Sequence, residues 1–127
     1  ISHNYAALAL TKKIRANNLA ETVTAAEIAT FFENLYQGKI IDVDYSKKMM
    51  ELLARQKIND RIPKLLPEGT IVAHKTADLG LFEHDAGIVF TPKGDYVVVA
   101  LSESDMPDAA GSKIAQFSRA VYDYFTK

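Results

Sequence analysis

The chain has 127 residues, 48% of them hydrophobic and 24% charged, which predicts one globular domain that buries a core rather than a disordered segment. A formal net charge of −1 and a pI near 6.3 give no electrostatic basis for binding nucleic acid, and no apolar run approaches the roughly 18 residues of a membrane span. The absence of cysteine excludes disulfides and thiolate metal sites and leaves the compartment open.

In chain order, helices come first. Residues 5 to 15 can be helical, up to the polar break Ala16-Asn17-Asn18. Thr24 with Glu27 spells a capping box, and Ile28, Phe31, Phe32 and Leu35 follow at helical spacing until Gly38 stops the run. Asp44 or Ser46 can cap the next helix, whose Met49, Leu52 and Leu53 form an apolar stripe opposite Lys47, Lys48 and Arg55. Pro63 and Pro67 then break the chain.

Strands follow. Thr70-Ile71-Val72-Ala73-His74-Lys75-Thr76-Ala77 reads as a β-strand ending in a Lys-Thr pair. Alternation sends Lys75 and Thr76 to opposite faces, so both reach one ligand only if this strand is an edge beside a cleft. The short connection from Asp78 to His84 predicts antiparallel pairing of residues 70–76 with residues 85–91. Thr91-Pro92-Lys93-Gly94-Asp95 supplies a hairpin turn, and the β-branched run at residues 96–101 calls for cover on both faces. Ile114, Phe117, Val121 and Tyr124 or Phe125 recur at helical spacing and predict a last helix packed on the sheet. Three such strands with a helix on one face leave a bare edge, which calls for further strands, a partner or self-association.

The order of these segments resembles the penicillin-recognising serine hydrolases, the class A β-lactamases and penicillin-binding proteins. Ser2-His3-Asn4 resembles their Ser-x-Asn motif, with His3 where class A enzymes usually carry Asp. Thr24-Ala25-Ala26-Glu27 is similar to the helix start after the omega loop, and Leu66-Pro67-Glu68-Gly69 to the lead-in to the Lys-Thr-Gly strand. His84-Asp85-Ala86-Gly87-Ile88-Val89-Phe90, the run at 96–101 and residues 107–125 resemble the next two strands and the C-terminal helix. The likeness covers nearly the whole chain but only the second half of the family's fold. It implies an α+β fold, an antiparallel sheet of at least three strands packed with helices, β-lactamase- or transpeptidase-like and incomplete. No Ser-x-x-Lys with the family's spacing and no Glu-x-x-Leu-Asn occurs. With a start at Ile1, no initiator Met and no signal peptide, a fragment, a processed product or the ordered part of a longer protein is expected.

The resemblance also implies roles. Ser2 relays a proton to the leaving nitrogen, Asn4 binds the acyl-amide of the substrate, and Lys75 stabilises developing negative charge while keeping Ser2 poised. Thr76 donates to the substrate carboxylate, and the N–H of Asp78 stands where the family places an oxyanion donor. Ala77 replaces the family's Gly and puts a methyl group where substrate approaches the strand. Arg61 is either a surface salt-bridge partner or the cation that holds a substrate carboxylate. Judged without their neighbours, Lys75 is a solubilising charge, Thr76 a strand former, and Ser2 and Asn4 helix-capping residues. His3, His74 and His84 lack metal-site spacing and read as hydrogen-bonded structural residues. The implied reaction is acyl transfer from a β-lactam or related cell-wall peptide to a serine outside the chain, with no metal or organic cofactor, in an extracellular or cell-surface setting. The rival is a non-catalytic module of the same fold that binds cell-wall peptide or a protein partner.

Overall fold

The computed structural model describes residues 23–127, so Ser2, His3, Asn4 and the helix expected at 5–15 lie outside the described residues. The elements run α1 (Ala25–Tyr36), α2 (Val43–Leu53), β1 (Val72–Leu79), β2 (Phe82–Val89), β3 (Tyr96–Glu103) and α3 (Pro107–Phe125). Helix α1 begins where Thr24 Oγ1 accepts the Glu27 N–H at 3.2 Å and donates to Glu27 Oε1 at 3.0 Å. It ends as Gly38 takes φ 74°, a conformation that costs glycine nothing.

Helix α2 is capped by Asp42, whose carboxylate accepts the Tyr45 N–H at 2.8 Å, and not by Asp44 or Ser46. Ser46 lies inside the first turn, fully buried, and bonds the N–H and C=O of Ile40 at 3.1 and 2.9 Å. The apolar stripe is also rotated. Leu53 is buried with Met49 and Met50 against it, whereas Leu52 is 53% exposed. Positions 46, 50 and 53 share the i, i+4, i+7 face, and position 52 falls beside it.

The three strands form one antiparallel sheet in the order β1-β2-β3, with Val72 opposite Val89, Thr76 opposite Asp85, and Val89 opposite Tyr96. Strand β1 runs on past the Lys-Thr pair. Ala77, Asp78 and Leu79 pair with His84, Glu83 and Phe82, so most of the expected connection is ladder. Gly80, with φ 58°, supplies the positive angle at the first central position of a two-residue hairpin. The second hairpin is closed at Thr91, whose C=O accepts the Gly94 N–H at 3.1 Å.

Both sheet faces are covered, as the run at 96–101 requires. On one face Ala73, Ala86 and Ile88 pack with Phe32, Leu35 and Leu53 of α1 and α2, joined by Val97 and Val99. On the other, Val72, Val89, Tyr96 and Val98 pack with Ile62 and with Ile114 of α3. Helix α3 meets the sheet through Ala110, Gly111, Ile114, Ala115 and Ser118, while Phe117, Tyr124 and Phe125 remain half exposed or more. Of the large side chains expected at the seam, Ile114 and Val121 pack there and Phe125 stacks on Tyr96 at 4.9 Å, whereas Phe117 and Tyr124 turn away because small residues let the helix backbone come close. A Cβ on Gly111 would stand 2.6 Å from Glu83 Oε1. No described helix is long and apolar enough to cross a membrane.

Candidate functional site

Strand β1 is an edge among the described residues, as the Lys-Thr pair requires. The N–H of Phe90 donates to the C=O of Ile71 at 3.0 Å, which makes that pair a hydrogen-bonded one. Antiparallel ladders alternate, so Ala73, Lys75 and Ala77 exchange bonds with β2, while Thr76 and Asp78 turn their backbone groups outward along the open edge. Lys75 Nζ donates to the C=O of Thr76, a carbonyl that this alternation leaves free. The Lys75 side chain is exposed on the face shared with Ala73 and Ala77, and the Thr76 side chain is on the other face, 3% exposed. The ammonium of Lys75, the N–H of Asp78 and the exposed methyl of Ala77 thus share one strand edge. The Ser2 and Asn4 assignments fall outside the described residues.

Arg61 is not a surface residue. It is 3% exposed and lies behind β1, in the turn that Pro63 helps to set. Its Nε donates to Glu83 Oε1 at 2.7 Å, its Nη1 to the C=O of His84 at 3.0 Å, and its Nη2 to Asp78 Oδ1. All three nitrogens are therefore turned to protein acceptors. Burial alone would lower the pKa of the guanidinium, but the bonds to Glu83 and Asp78, with the charges of Asp60 and Glu83, outweigh it and hold it above the ordinary arginine range. Glu83 completes the arrangement by accepting the N–H of Gly111 in α3 at 3.2 Å. Arg61 thus joins the preceding turn, the far end of β1 and the start of β2.

A second buried cluster adjoins it. His74 Nδ1 is 2.8 Å from Asp85 Oδ1 and Nε2 is 2.9 Å from Asn59 Oδ1. Asp85 is fully buried, and its other oxygen accepts the Ile62 N–H at 3.0 Å. Ser118 of α3 donates to the Ile62 C=O at 2.9 Å. His84 Nδ1 accepts the Ser102 N–H at 3.0 Å, so both described histidines are hydrogen-bonded within the fold. Among the described residues no three His, Asp or Glu side chains gather as metal ligands. Sequence reasoning missed Asn59, Glu83 and Asp85. For Glu83 and Asp85 the available signal was a polar residue at a strand position that faces the core, and for Asn59, in the loop before β1, there was none.

Comparison with known proteins matches this architecture. The sequence profile of the beta-lactamase enzyme family matches residues 2–125. The chain is similar to the extended-spectrum beta-lactamase PER-1 of Pseudomonas aeruginosa, 32% identical over 77 residues, which covers 54% of this chain and 25% of PER-1. PBP-A superposes with a TM-score of 0.76 at 28% identity, over 92% of this chain and 50% of that one. A PBP-A variant described as an acyl-enzyme complex with penicillin G gives 0.72 at 33% identity, over 79% and 39%. The TLA-1 extended spectrum beta-lactamase gives 0.73 at 26% identity, over 83% and 42%. The chain spans a quarter to a half of the length of these relatives. With a matching profile along nearly all of its length and a matching arrangement of sheet and helices, the chain belongs to the beta-lactamase enzyme family.

Proposed function

We propose that this chain supplies the substrate-facing strand of an acyl-transfer site acting on β-lactams or related cell-wall peptides, with the acyl group passing to a serine outside these 127 residues. The observation that carries this reading is the open edge of β1, where the exposed Lys75 and the outward N–H of Asp78 border the same space. In the reaction, the serine oxygen adds to the amide carbonyl, the C–N bond breaks, and the proton reaches the leaving nitrogen through Ser2. Lys75 stabilises the negative charge that develops and keeps Ser2 poised, which is worth most in a site that excludes water. Asn4 holds the acyl-amide, the Asp78 N–H the oxyanion, and Thr76, whose side chain is buried on the face opposite Lys75, donates to the substrate carboxylate through its outward backbone N–H. Arg61, with its nitrogens committed to Glu83, Asp78 and the His84 carbonyl, acts on substrate by fixing the strand rather than by touching it.

Support for the substrate class comes from family membership and from the penicillin G adduct described for the PBP-A variant. The reading carries with it an extracellular or cell-surface location and a single domain completed by further chain or by self-association. No metal or organic cofactor enters the reading. A second reading, a non-catalytic module that binds cell-wall peptide or a protein partner, is favoured by Ala77, whose exposed methyl group stands on the Lys75 face.

The test is covalent labelling of the full-length natural protein with a fluorescent penicillin, followed in time on denaturing gels. A labelled band that forms about a hundredfold more slowly in Lys75→Ala supports the acyl-transfer reading. Reversible penicillin binding without a covalent band supports the second reading. Labelling indifferent to Lys75→Ala overturns the assignment of the site.

A further inference from the structure

We propose that His74 is a positioning residue for Lys75 and Thr76, locked between Asp85 and Asn59 with hydrogen on both ring nitrogens. An imidazole with one hydrogen donates from one nitrogen and accepts at the other. Here both nitrogens face acceptors. The Asp85 carboxylate lies at Nδ1, and the orientation of the Asn59 amide is set by its own Nδ2, which donates to the C=O of Gln56 at 3.0 Å. That bond leaves Asn59 Oδ1 turned to Nε2 at 2.9 Å. An acceptor on each side is satisfied only by the imidazolium.

Asp85 and His74 itself are held in turn. Asp85 Oδ2 takes the Ile62 N–H, and the backbone of His74 rests against Gly87, where a Cβ would come within 2.7 Å of His74 Cα. His74 is 1% exposed on the face of β1 opposite Lys75, and Arg61 holds Asp78, on the same face as His74, from the same short segment. Residues 59–62 therefore grip the edge strand on both sides of the Lys75-Thr76-Ala77 stretch. With its two flanks fixed, the stretch presents Lys75 and the Asp78 N–H at one spacing. The pair of His74 with Asp85 is neutral overall and so adds no net charge behind the site. The kinetic consequence rests on the proposed acyl-transfer function, whereas the state of the imidazole does not.

Two measurements on the full-length natural protein test this. Proton–nitrogen NMR of the histidine side chains at neutral pH should show two slowly exchanging ring N–H groups for His74, assigned by their loss in His74→Gln. A single ring N–H overturns the lock, whether or not the protein acylates. The second measurement is Asp85→Asn, which keeps size and an acceptor but removes the charge, with folding checked by circular dichroism. It should leave one ring N–H on His74 and slow penicillin acylation on the order of tenfold at unchanged reversible penicillin affinity, the signature of a misplaced strand. Acylation within twofold of the parent in a folded Asp85→Asn protein overturns the positioning role. If the parent forms no acyl-enzyme, the acyl-transfer reading fails, and an Asp85→Asn protein that retains two ring N–H groups overturns the lock on its own.

Discussion

Replacing Arg61 by Met isolates the energetics of the buried charges behind β1. The side chain of Arg61 is 4% exposed and that of Glu83 9%, at 2.7 Å from each other, whereas that of Asp78 is 56% exposed. Water screens the Asp78 contact, which therefore contributes about 0–1 kcal/mol. The Glu83 contact dominates, because Arg61→Met leaves a carboxylate nearly out of water with only the Gly111 N–H at 3.2 Å to hold it. Removing one member of such a pair costs about 3–5 kcal/mol. A protein of this size has a total stability of about 5–15 kcal/mol, so the single variant should be folded but fragile. The pair Arg61→Met with Glu83→Gln should recover roughly half of the loss, since glutamine still accepts from Gly111 and carries no stranded charge. Urea denaturation followed by circular dichroism measures the parent, Arg61→Met, Glu83→Gln and the double variant. A loss of under about 1 kcal/mol in the single variant, or a double variant as unstable as the sum of the singles, would refute this account. The raised pKa of Arg61 creates no pH dependence near neutrality, because its stabilising contribution is complete there and declines only as pH rises through and beyond the ordinary arginine range.

Gly87→Ala should destabilise the protein by about 2–3 kcal/mol, because its Cβ would stand 2.3 Å from the Ala73 carbonyl oxygen and β1 must move to admit it. A melting temperature within a degree of the parent would contradict the close strand contact. Tyr96 has its hydroxyl buried with no hydrogen-bond partner among the described residues, so Tyr96→Phe should be neutral or stabilising by up to about 1 kcal/mol in the same urea assay. Burial, with lesser contributions from Tyr122 and Asp123, pushes the Tyr96 hydroxyl up to about 12. The stability linked to it is present below pH 10 and lost as pH rises from 10 toward 12, which ultraviolet absorbance of tyrosinate should show as one late-ionising residue that Tyr96→Phe removes. Ala77→Gly in the full-length natural protein should raise the rate of penicillin labelling, and an unchanged rate would show that the methyl group does not limit access.

Local chemistry made much of the fold legible. The Thr24–Glu27 cap, the stop at Gly38 and the turn around Pro92 and Gly94 each depend on residues a few positions apart, and each is present. Alternation made an edge position the condition for Lys75 and Thr76 to reach one ligand, which β1 meets among the described residues, and the pairing of residues 70–76 with 85–91 followed from chain order. Other features were hidden for physical reasons. Ala77, Asp78 and Leu79 have no β-branched side chain, so the continuation of β1 carried no strand signal, and the partner strand decided it. In α3, Phe117 and Tyr124 attracted attention by size, although close approach is governed by Gly111 and its small neighbours. The bonds of Arg61 to Glu83 and of His74 to Asn59 join residues 22 and 15 positions apart, and no periodicity encodes them.

The contact of Lys75 with the Thr76 carbonyl has a consequence for handling as well as for chemistry. An open strand edge offers unpaired backbone groups to any other chain, and a lysine on that edge is a common obstacle to sheet-to-sheet aggregation. Lys75 covers one such group with its own ammonium, so the residue assigned to the reaction also guards the strand against self-pairing. Lys75→Ala exposes that carbonyl and removes the charge together. Its loss of labelling must therefore be read on monomer isolated by size exclusion, since insoluble or associated protein would imitate a catalytic defect.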